Sequence, residues 1–248
     1  MNEFDVVVIG SGSAACAAAL RAAKGGLKVL VIEKSNRLGG TSAMSGAGIW
    51  IPANHVAAAA GVADSKKEAL SYLHAVQPPE QKESDSGRWA AFVEAAPDML
   101  HFLASNTPLD FQLVAEPDPF TEAPGGKMFG RIVTPDALSR RLLGRFAAKL
   151  RRSTLPHSFT YKEAVDLDLY HHPIKAVFKV WHKLIHRWLT NAGGQGTALM
   201  VGLIKGCLDA GVEFRLETRA ARLIQDEEKR VTGVEAEHKG RNTEINAS

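Results

Sequence analysis

Two glycines, an alanine and a carboxylate at fixed spacing are the first residues in the chain that could do chemistry together. They lie in Asp5-Val-Val-Val-Ile-Gly10-Ser-Gly12-Ser-Ala-Ala15 and at Glu33. Gly10 permits a tight turn, and Gly12 lets backbone approach a pyrophosphate. Ala14 and Ala15 open the helix whose N-terminus faces that anion, Ala15 at the packing position that tolerates Gly or Ala. Glu33 follows Gly12 by about 20 residues, the spacing at which a carboxylate can accept hydrogen bonds from ribose hydroxyls, with Lys34 beside it. Gly-rich turns also recur for packing alone, so the surrounding elements decide. A second loop follows, Arg37-Leu-Gly39-Gly40-Thr41-Ser42-Ala-Met-Ser45-Gly46-Ala47-Gly48. It offers close backbone approach and hydroxyl donors to a longer cofactor, one with a ribityl chain and flavin ring beyond the pyrophosphate. An NAD-binding unit has no need of such a loop, although an NAD-dependent enzyme stays as the alternative, as does a plain surface turn.

The elements that must position these residues are legible around them. Val6 to Ile9 reads as a buried parallel strand, Cys16 to Lys24 as its crossover helix and Lys28 to Ile32 as the second strand of a βαβ unit. Asp64-Ser65 with Glu68 predicts a helix over 66–76 with a capping-box start. Trp89, Phe92, Val93, Ala96, Met99, Leu100 and Leu103 recur at helical spacing as core. Leu109 to Val114 alternates as a strand, and Pro117-Asp118-Pro119-Phe120 with Pro124-Gly125-Gly126 marks a loop. Thr197 to Ala210 reads as a helix capped by Gly211, and Glu213 to Leu216 as a third parallel strand. Residues 219–225, 230–237 and 242–246 read as a three-stranded meander. The predicted fold is α/β, a Rossmann-like cofactor domain of parallel sheet plus β-meander with a mostly helical insertion. It divides into residues 1–116, an insertion over 117–190, and a return segment over 191–248.

Composition sets the outer bounds. The chain has 248 residues, 45% of them hydrophobic, 30 Lys+Arg against 27 Asp+Glu and two Cys. It can bury a core without staples. A net charge of +3 is too mild for nucleic acid, and Cys16 and Cys207 give neither a disulfide framework nor metal-ligand spacing, so they read as small buried hydrophobes in a cytoplasmic setting. The N-terminus is acidic, and Gly10 to Ser13 interrupt its apolar run, unlike an export signal. No stretch is long enough to span a bilayer.

The small net charge hides a segregation. Residues 139–190 carry eleven Lys/Arg and three acids, +8, which leaves −5 for the rest. Ile174, Val177, Phe178, Trp181, Leu184, Ile185 and Trp188 share a helix face opposite Lys175, Lys179, His182, Lys183, His186 and Arg187. The pattern is read as a domain helix with a solvated basic face, in preference to contact with an anionic membrane surface. His171-His172 and the i, i+4 pair His182/His186 are read as solvated, because no Glu at 183 and no third ligand completes a metal set.

Residues 5–53 resemble the N-terminal FAD-binding segment of flavoproteins related to fumarate reductase and succinate dehydrogenase. Within that superfamily, Gly39 to Gly46 running into Ile49-Trp50-Ile51-Pro52 is most similar to the 3-ketosteroid Δ1-dehydrogenase branch. Agreement continues at Ser71-Tyr72-Leu73, Ala95-Ala96-Pro97, Glu122 to Gly126, Gly130-Arg131 and Gly193 to Ala198, and is weakest over 139–190. The resemblance implies FAD as cofactor, backbone near Ala220 on its adenine side, and an oxidoreductase that dehydrogenates a 3-ketosteroid or similar hydrophobic ketone by hydride transfer to flavin N5. In that family a tyrosinate base removes the proton, its acidity helped by a polarised 3-keto group. One family tyrosine is expected in the loop at Pro117 to Phe120, where this sequence has none, and no residue here is assigned as catalytic. Two alternatives remain: a fumarate reductase-like flavoprotein with another substrate, and a non-catalytic dinucleotide-binding fragment or partner subunit. The resemblance further implies that the chain is roughly the first half of a flavoenzyme, lacking part of its flavin cage, which a second chain could supply.

Overall fold

The computed structural model describes residues 4–78, 80, 82–238 and 240–247, with the side chains of residues 82–86 left out of that description. The chain opens with β1 (Val6–Ile9), α1 (Ser13–Lys24) and β2 (Val29–Ile32), the predicted βαβ unit. Next come β3 (Ile49–Trp50), α2 (His55–Ala59), α3 (Lys66–Val76), the long α4 (Lys82–Asn106) and β4 (Phe111–Leu113). β5 (Ile132–Pro135), β6 (Leu138–Ser139), a 3₁₀ segment over Arg140–Lys149, α5 (Tyr161–Asp166) and α6 (Pro173–Thr190) form the middle. β7 (Ala192–Gly193), α7 (Gln195–Asp209), β8 (Glu213–Arg215), β9 (Thr218–Gln225), β10 (Val231–His238) and β11 (Arg241–Asn246) complete it.

β2 organises the molecule. It pairs in parallel with β1 on one side, Val6 opposite Val29, and with β8 on the other, Leu30 opposite Glu213. Its run Val-Leu-Val-Ile has no polar position because both faces are covered. Val29 and Val31 face a core built with Cys16 and Leu20 of α1 and Met200, Leu203 and Ile204 of α7. Leu30 and Ile32 face a second core with Phe4, Val234, Ala236 and Ile245, which the antiparallel meander β9–β10–β11 lays across the sheet. Each fully buried aliphatic side chain of this kind contributes about 1.5–3 kcal/mol. Cys16 and Cys207 are both buried, and the Cys207 thiol donates to the Cys16 carbonyl at 3.2 Å.

Three features differ from the sequence reading. Ile49–Trp50, Ile132–Pro135 and Phe111–Leu113 make a small antiparallel sheet in the order β3–β5–β4, of which only the last strand is predicted. α7 ends on Ala210 as its C-cap, one residue before the predicted cap, and the predicted Gly211 follows as the left-handed residue with φ +80°. The largest difference is in α6. Its buried residues are Ala176, Val180 and Arg187, and Arg187, expected on the solvated face, forms a buried pair with Glu163, its Nη1 donating to Oε2 at 2.6 Å and its Nη2 to Oε1 at 2.9 Å. The apolar stripe faces outward instead. Ala176 and Val180 pack with Phe159, Leu167 and Leu169, which flank α5, and the guanidinium finds its counter-ion Glu163 on α5, so the less hydrophobic face is the one that packs.

Candidate functional site

The first turn is built from β1 and α1. Gly10 adopts φ +95°, which suits glycine, and donates its N–H to the Ile32 carbonyl at 2.8 Å, so the turn is held against the end of β2. Gly12 is the N-cap of α1 with φ −73°, a conformation open to any residue. A Cβ placed on it would meet only Ser42 Oγ, at an ordinary 3.6 Å. Neither strain nor packing within the chain therefore requires glycine at this position. No side chain of the turn itself caps α1. Ser42 reaches over from the second loop, its Oγ accepting from the Ser13 N–H at 3.2 Å. The N–H groups of Ala14 and Ala15 have no partner among the described residues and point along the positive end of the helix dipole.

Ser11, which the spacing argument passes over as the residue between two glycines, joins the site together. Its Oγ donates to Glu33 Oε2 at 2.6 Å and accepts from the Gly39 N–H at 3.1 Å, while its own N–H donates to the same Glu33 oxygen at 3.1 Å. Glu33 Oε1 accepts from the Ser35 N–H at 2.9 Å. The buried carboxylate thus fixes the first turn to the start of the second loop. Three accepted bonds leave about one of its lone-pair positions open. Lys34 stands just outside, lining a cavity of about 660 Å³ with Ser35, Asn36, Glu217 and Arg219. Ala220 lies next to that wall, half-buried and paired with Ala236.

The second loop runs directly beside the turn. Gly40, with φ +52°, places its Cα so that a Cβ would lie 3.6 Å from Gly12 Cα. Gly39 and the exposed Thr41 flank it, and Ser42–Met44 form one 3₁₀ turn. Ser45 Oγ donates to the Ser42 carbonyl at 2.9 Å, and the Ser45 carbonyl accepts the Gly196 N–H at 2.8 Å, which ties the loop to the start of α7. Gly46 and Gly48 lie under the ring of Tyr161, with the buried Ala47 between them in sequence, and a Cβ on Gly48 would come within 2.9 Å of the ring. Packing against α5 accounts for glycine there. The Tyr161 hydroxyl donates to Glu116 Oε2 at 2.7 Å. Burial, reinforced by that carboxylate, pushes the phenol up to about 12. Tyr161 follows Thr160, which begins a capping box with Glu163. Thr-x-x-Glu was the available sequence signal for α5.

Beyond the cradle, a buried cation fastens the loop over 117–131. Arg131 is 1% exposed; its Nη1 donates to Asp118 Oδ2 and its Nη2 to Asp64 Oδ1, both at 2.8 Å. Its guanidinium lies 5.3 Å from the ring centroid of Trp50 and 5.7 Å from that of Tyr72. Burial alone would raise the Asp64 carboxyl. The hydrogen bonds from Arg131 and the Ala53 N–H, with the Arg131 charge, outweigh it and hold the group below the usual carboxylate range. The phenol next to Pro117–Phe120 is Tyr72 of α3, whose oxygen accepts the Phe120 N–H at 3.3 Å. Burial raises its pKa, which works against a tyrosinate. His171 Nδ1 sits 2.5 Å from Asp168 Oδ1, and no cluster of His, Cys, Asp and Glu among the described residues is arranged to hold a metal.

Parallel strands with a Gly-rich turn at their carboxyl ends, a helix N-terminus above it and an acid closing the second strand define a dinucleotide-binding α/β protein. The chain belongs to the FAD binding domain family, whose model matches residues 5–248. It is 36% identical over 228 residues to the 3-oxosteroid 1-dehydrogenase of Mycobacterium tuberculosis, covering 88% of this chain and 40% of that protein. It is 32% identical over 243 residues to the 4-oxocyclohex-2-ene-1-carboxylate 5-dehydrogenase of Sinomonas cyclohexanicum, covering 92% of this chain and 40% of that one. The crystal structure of 3-ketosteroid delta1-dehydrogenase from Sterolibacterium denitrificans in complex with 1,4-androstadiene-3,17-dione superposes with a TM-score of 0.85 at 33% identity, over 100% of this chain and 46% of that one. The chain thus spans less than half the length of these relatives. The fold shared with that crystal structure confirms the predicted α/β flavoprotein architecture.

Proposed function

We propose that this chain is the FAD-holding part of an oxidoreductase that removes two hydrogens from adjacent carbons of a ring ketone. The observation that carries the reading is Gly12, a glycine that nothing inside the protein requires. A pyrophosphate approaching the backbone supplies the missing reason. In this reading Gly10, Gly12, Ala14 and Ala15 cradle the pyrophosphate, and Glu33 offers its open lone pair to a ribose hydroxyl. Lys34 and Ala220 flank the adenine side. Gly39, Gly40, Thr41, Ser42, Ser45, Gly46, Ala47 and Gly48 accompany the ribityl chain and ring. The bond from Ser13 to Ser42 supports a single continuous cradle, longer than the phosphates alone would need. FAD, when bound, supplies the hydride acceptor; the chain's own residues bind and orient it.

The ring-ketone class rests on relatives whose names share an oxo-substituted ring, one a steroid and one a cyclohexene carboxylate. A partner chain completing the flavin cage belongs to the same proposal. So does the division at 116 and 190: the β6–β7 pair, Leu138 opposite Gly193, brings together the two ends of residues 139–192 and supports an inserted unit within the middle segment. Titration of the chain with FAD, followed by quenching of flavin fluorescence, tests the cofactor reading. Saturable binding that NAD does not displace, and that Gly12→Val abolishes, is the expected result. Equal binding by Gly12→Val, or displacement by NAD, would overturn it. Reduction of an artificial electron acceptor dependent on a 3-ketosteroid or on an oxocyclohexane carboxylate separates the substrate classes.

A further inference from the structure

A cavity of about 430 Å³ lies between the C-terminal end of α6, the loop over 152–158 and the start of α7. None of the residues that line it belongs to the proposed flavin cradle. Among the described residues its wall holds no Asp or Glu, yet it holds the guanidiniums of Arg140, Arg152 and Arg187. Glu163 neutralises Arg187, whereas Arg140 and Arg152 form no ion pair among the described residues. The cavity therefore carries two uncompensated positive charges.

Arg140 is firmly placed. Its backbone N–H donates to the Asn191 carbonyl at 3.0 Å and its Nη2 to Thr197 Oγ1 at 3.2 Å, but its Nε is buried without a hydrogen-bond partner. Burial disfavours its charge and the Arg152 charge adds to the effect, so its pKa falls below the usual arginine value. A half-buried cation with neither a counter-ion nor a full set of bonds is unfavourable, and nothing among the described residues offsets it. His157, which is buried, is held from two sides. The Gly194 N–H donates to its carbonyl at 2.8 Å, and its Nδ1 accepts the Thr197 N–H at 3.2 Å. Burial and the Arg140 charge lower the pKa of the ring. The neutral ring then keeps its hydrogen on Nε2, which donates to nothing among the described residues.

We propose that this cavity binds a small organic acid, its carboxylate held by Arg140, Arg152 and the Nε2–H of His157, its apolar body against Leu155, Leu184 and Trp188. Guanidiniums meet a carboxylate with paired N–H donors, and an anion there compensates both charges at once. The apolar residues decide against a bare inorganic anion. Leu155 is 70% exposed and Trp188 80%, and both line the cavity, so a ring or short chain beside the carboxylate covers surface that a phosphate ion would leave wet. The volume also suits a small molecule with a body of its own.

Calorimetric titration of the full chain with benzoate, without flavin, tests the site. Saturable binding, weakened by salt, is expected. Benzamide, with the same shape and no charge, and inorganic phosphate, charged without an apolar body, should each bind on the order of tenfold more weakly. Arg140→Gln and Arg152→Gln should each lower benzoate affinity by about tenfold, and Trp188→Ser by about threefold. Arg152 is exposed, so its variant keeps the test decisive even where Arg140→Gln folds poorly. Arg145→Gln removes an exposed charge that does not line the cavity and should leave binding unchanged. Gly12→Val, which alters only the flavin cradle, should leave it unchanged as well. No saturable benzoate binding, equal binding of benzamide or phosphate, or a loss in Arg145→Gln as large as in Arg152→Gln overturns the proposal. Loss of benzoate binding in Gly12→Val also overturns it, because the acid would then sit in the flavin cradle.

Discussion

Two glycines two positions apart do different work, and substitution separates them. Gly10 has φ +95° and open space where a Cβ would go, whereas Gly12 has φ −73° and only an ordinary contact in its way. Gly10→Ala should destabilise the protein by about 1–2 kcal/mol through its backbone alone. Gly12→Ala should leave the unfolding free energy, measured by urea titration, within about 0.5 kcal/mol of wild type and act on FAD affinity. Equal loss of stability in both would show that the chain, not a ligand, needs the second glycine. Arg131 is the sharper case for stability. Removing it strands two buried carboxylates, so Arg131→Met should cost about 3–5 kcal/mol. Adding Asp64→Asn and Asp118→Asn should recover part of that, because neutral amides in the same places no longer need a cation. The sign with pH follows from the depressed Asp64 group: the unfolded chain takes up the proton first. Asp64 therefore stabilises the fold above its ordinary range, and that stability is lost as pH falls through the folded value. Urea midpoints between pH 6 and pH 3 should fall less steeply in Asp64→Asn than in wild type.

At the scale of elements, the capping box of α5 supports more than one short helix. Thr160 Oγ1 accepts the Glu163 N–H at 3.1 Å, and Glu163 returns to the Thr160 N–H at 3.0 Å while also holding Arg187 of α6. Thr160→Ala should cost about 0.5–2 kcal/mol. Glu163→Gln should cost more and should loosen α6, measured as faster amide exchange between residues 176 and 187, since it leaves a buried guanidinium unpaired. The same elements show where the sequence is legible. β1, α1, β2, α7, β8 and the meander are readable because each carries its own period and its own stop, and partners such as Val6 and Val29 are close in sequence. β3 and β5 are not. Ile49–Trp50 is too short to show a period, Ile132–Pro135 breaks its apolar run with Thr134 and Pro135, and Ile49 meets Val133 only because α3, α4 and β4 fold between them. The α6 reading went the other way for a related reason. Periodicity finds an apolar face reliably, but which face packs depends on a neighbour, here Glu163. Within the site, the spacing of Gly10, Gly12 and Glu33 was visible, whereas Ser11 was not, since a hydroxyl between two glycines carries no signal until Glu33 and Gly39 are brought around it.

At the scale of the molecule, β2 makes one body out of two cores. Its alternate side chains belong to the helical core on one face and to the meander core on the other. The proposed cradle crosses its carboxyl end, from the α1 turn to the cavity beside Lys34 and Arg219. A ligand spanning that line touches elements of both cores and should tighten both together. Binding to the folded state alone raises stability by about 2.7 kcal/mol at a hundredfold excess over the dissociation constant. FAD at that excess should therefore raise the midpoint of a single cooperative melt, with slower amide exchange in α1 and in β9–β10 alike. The same addition to Gly12→Val should change neither. Protection confined to α1 and the loop over 39–48, with the meander unaffected, would place the adenine elsewhere and remove Lys34 and Ala220 from the cradle while leaving the pyrophosphate turn intact.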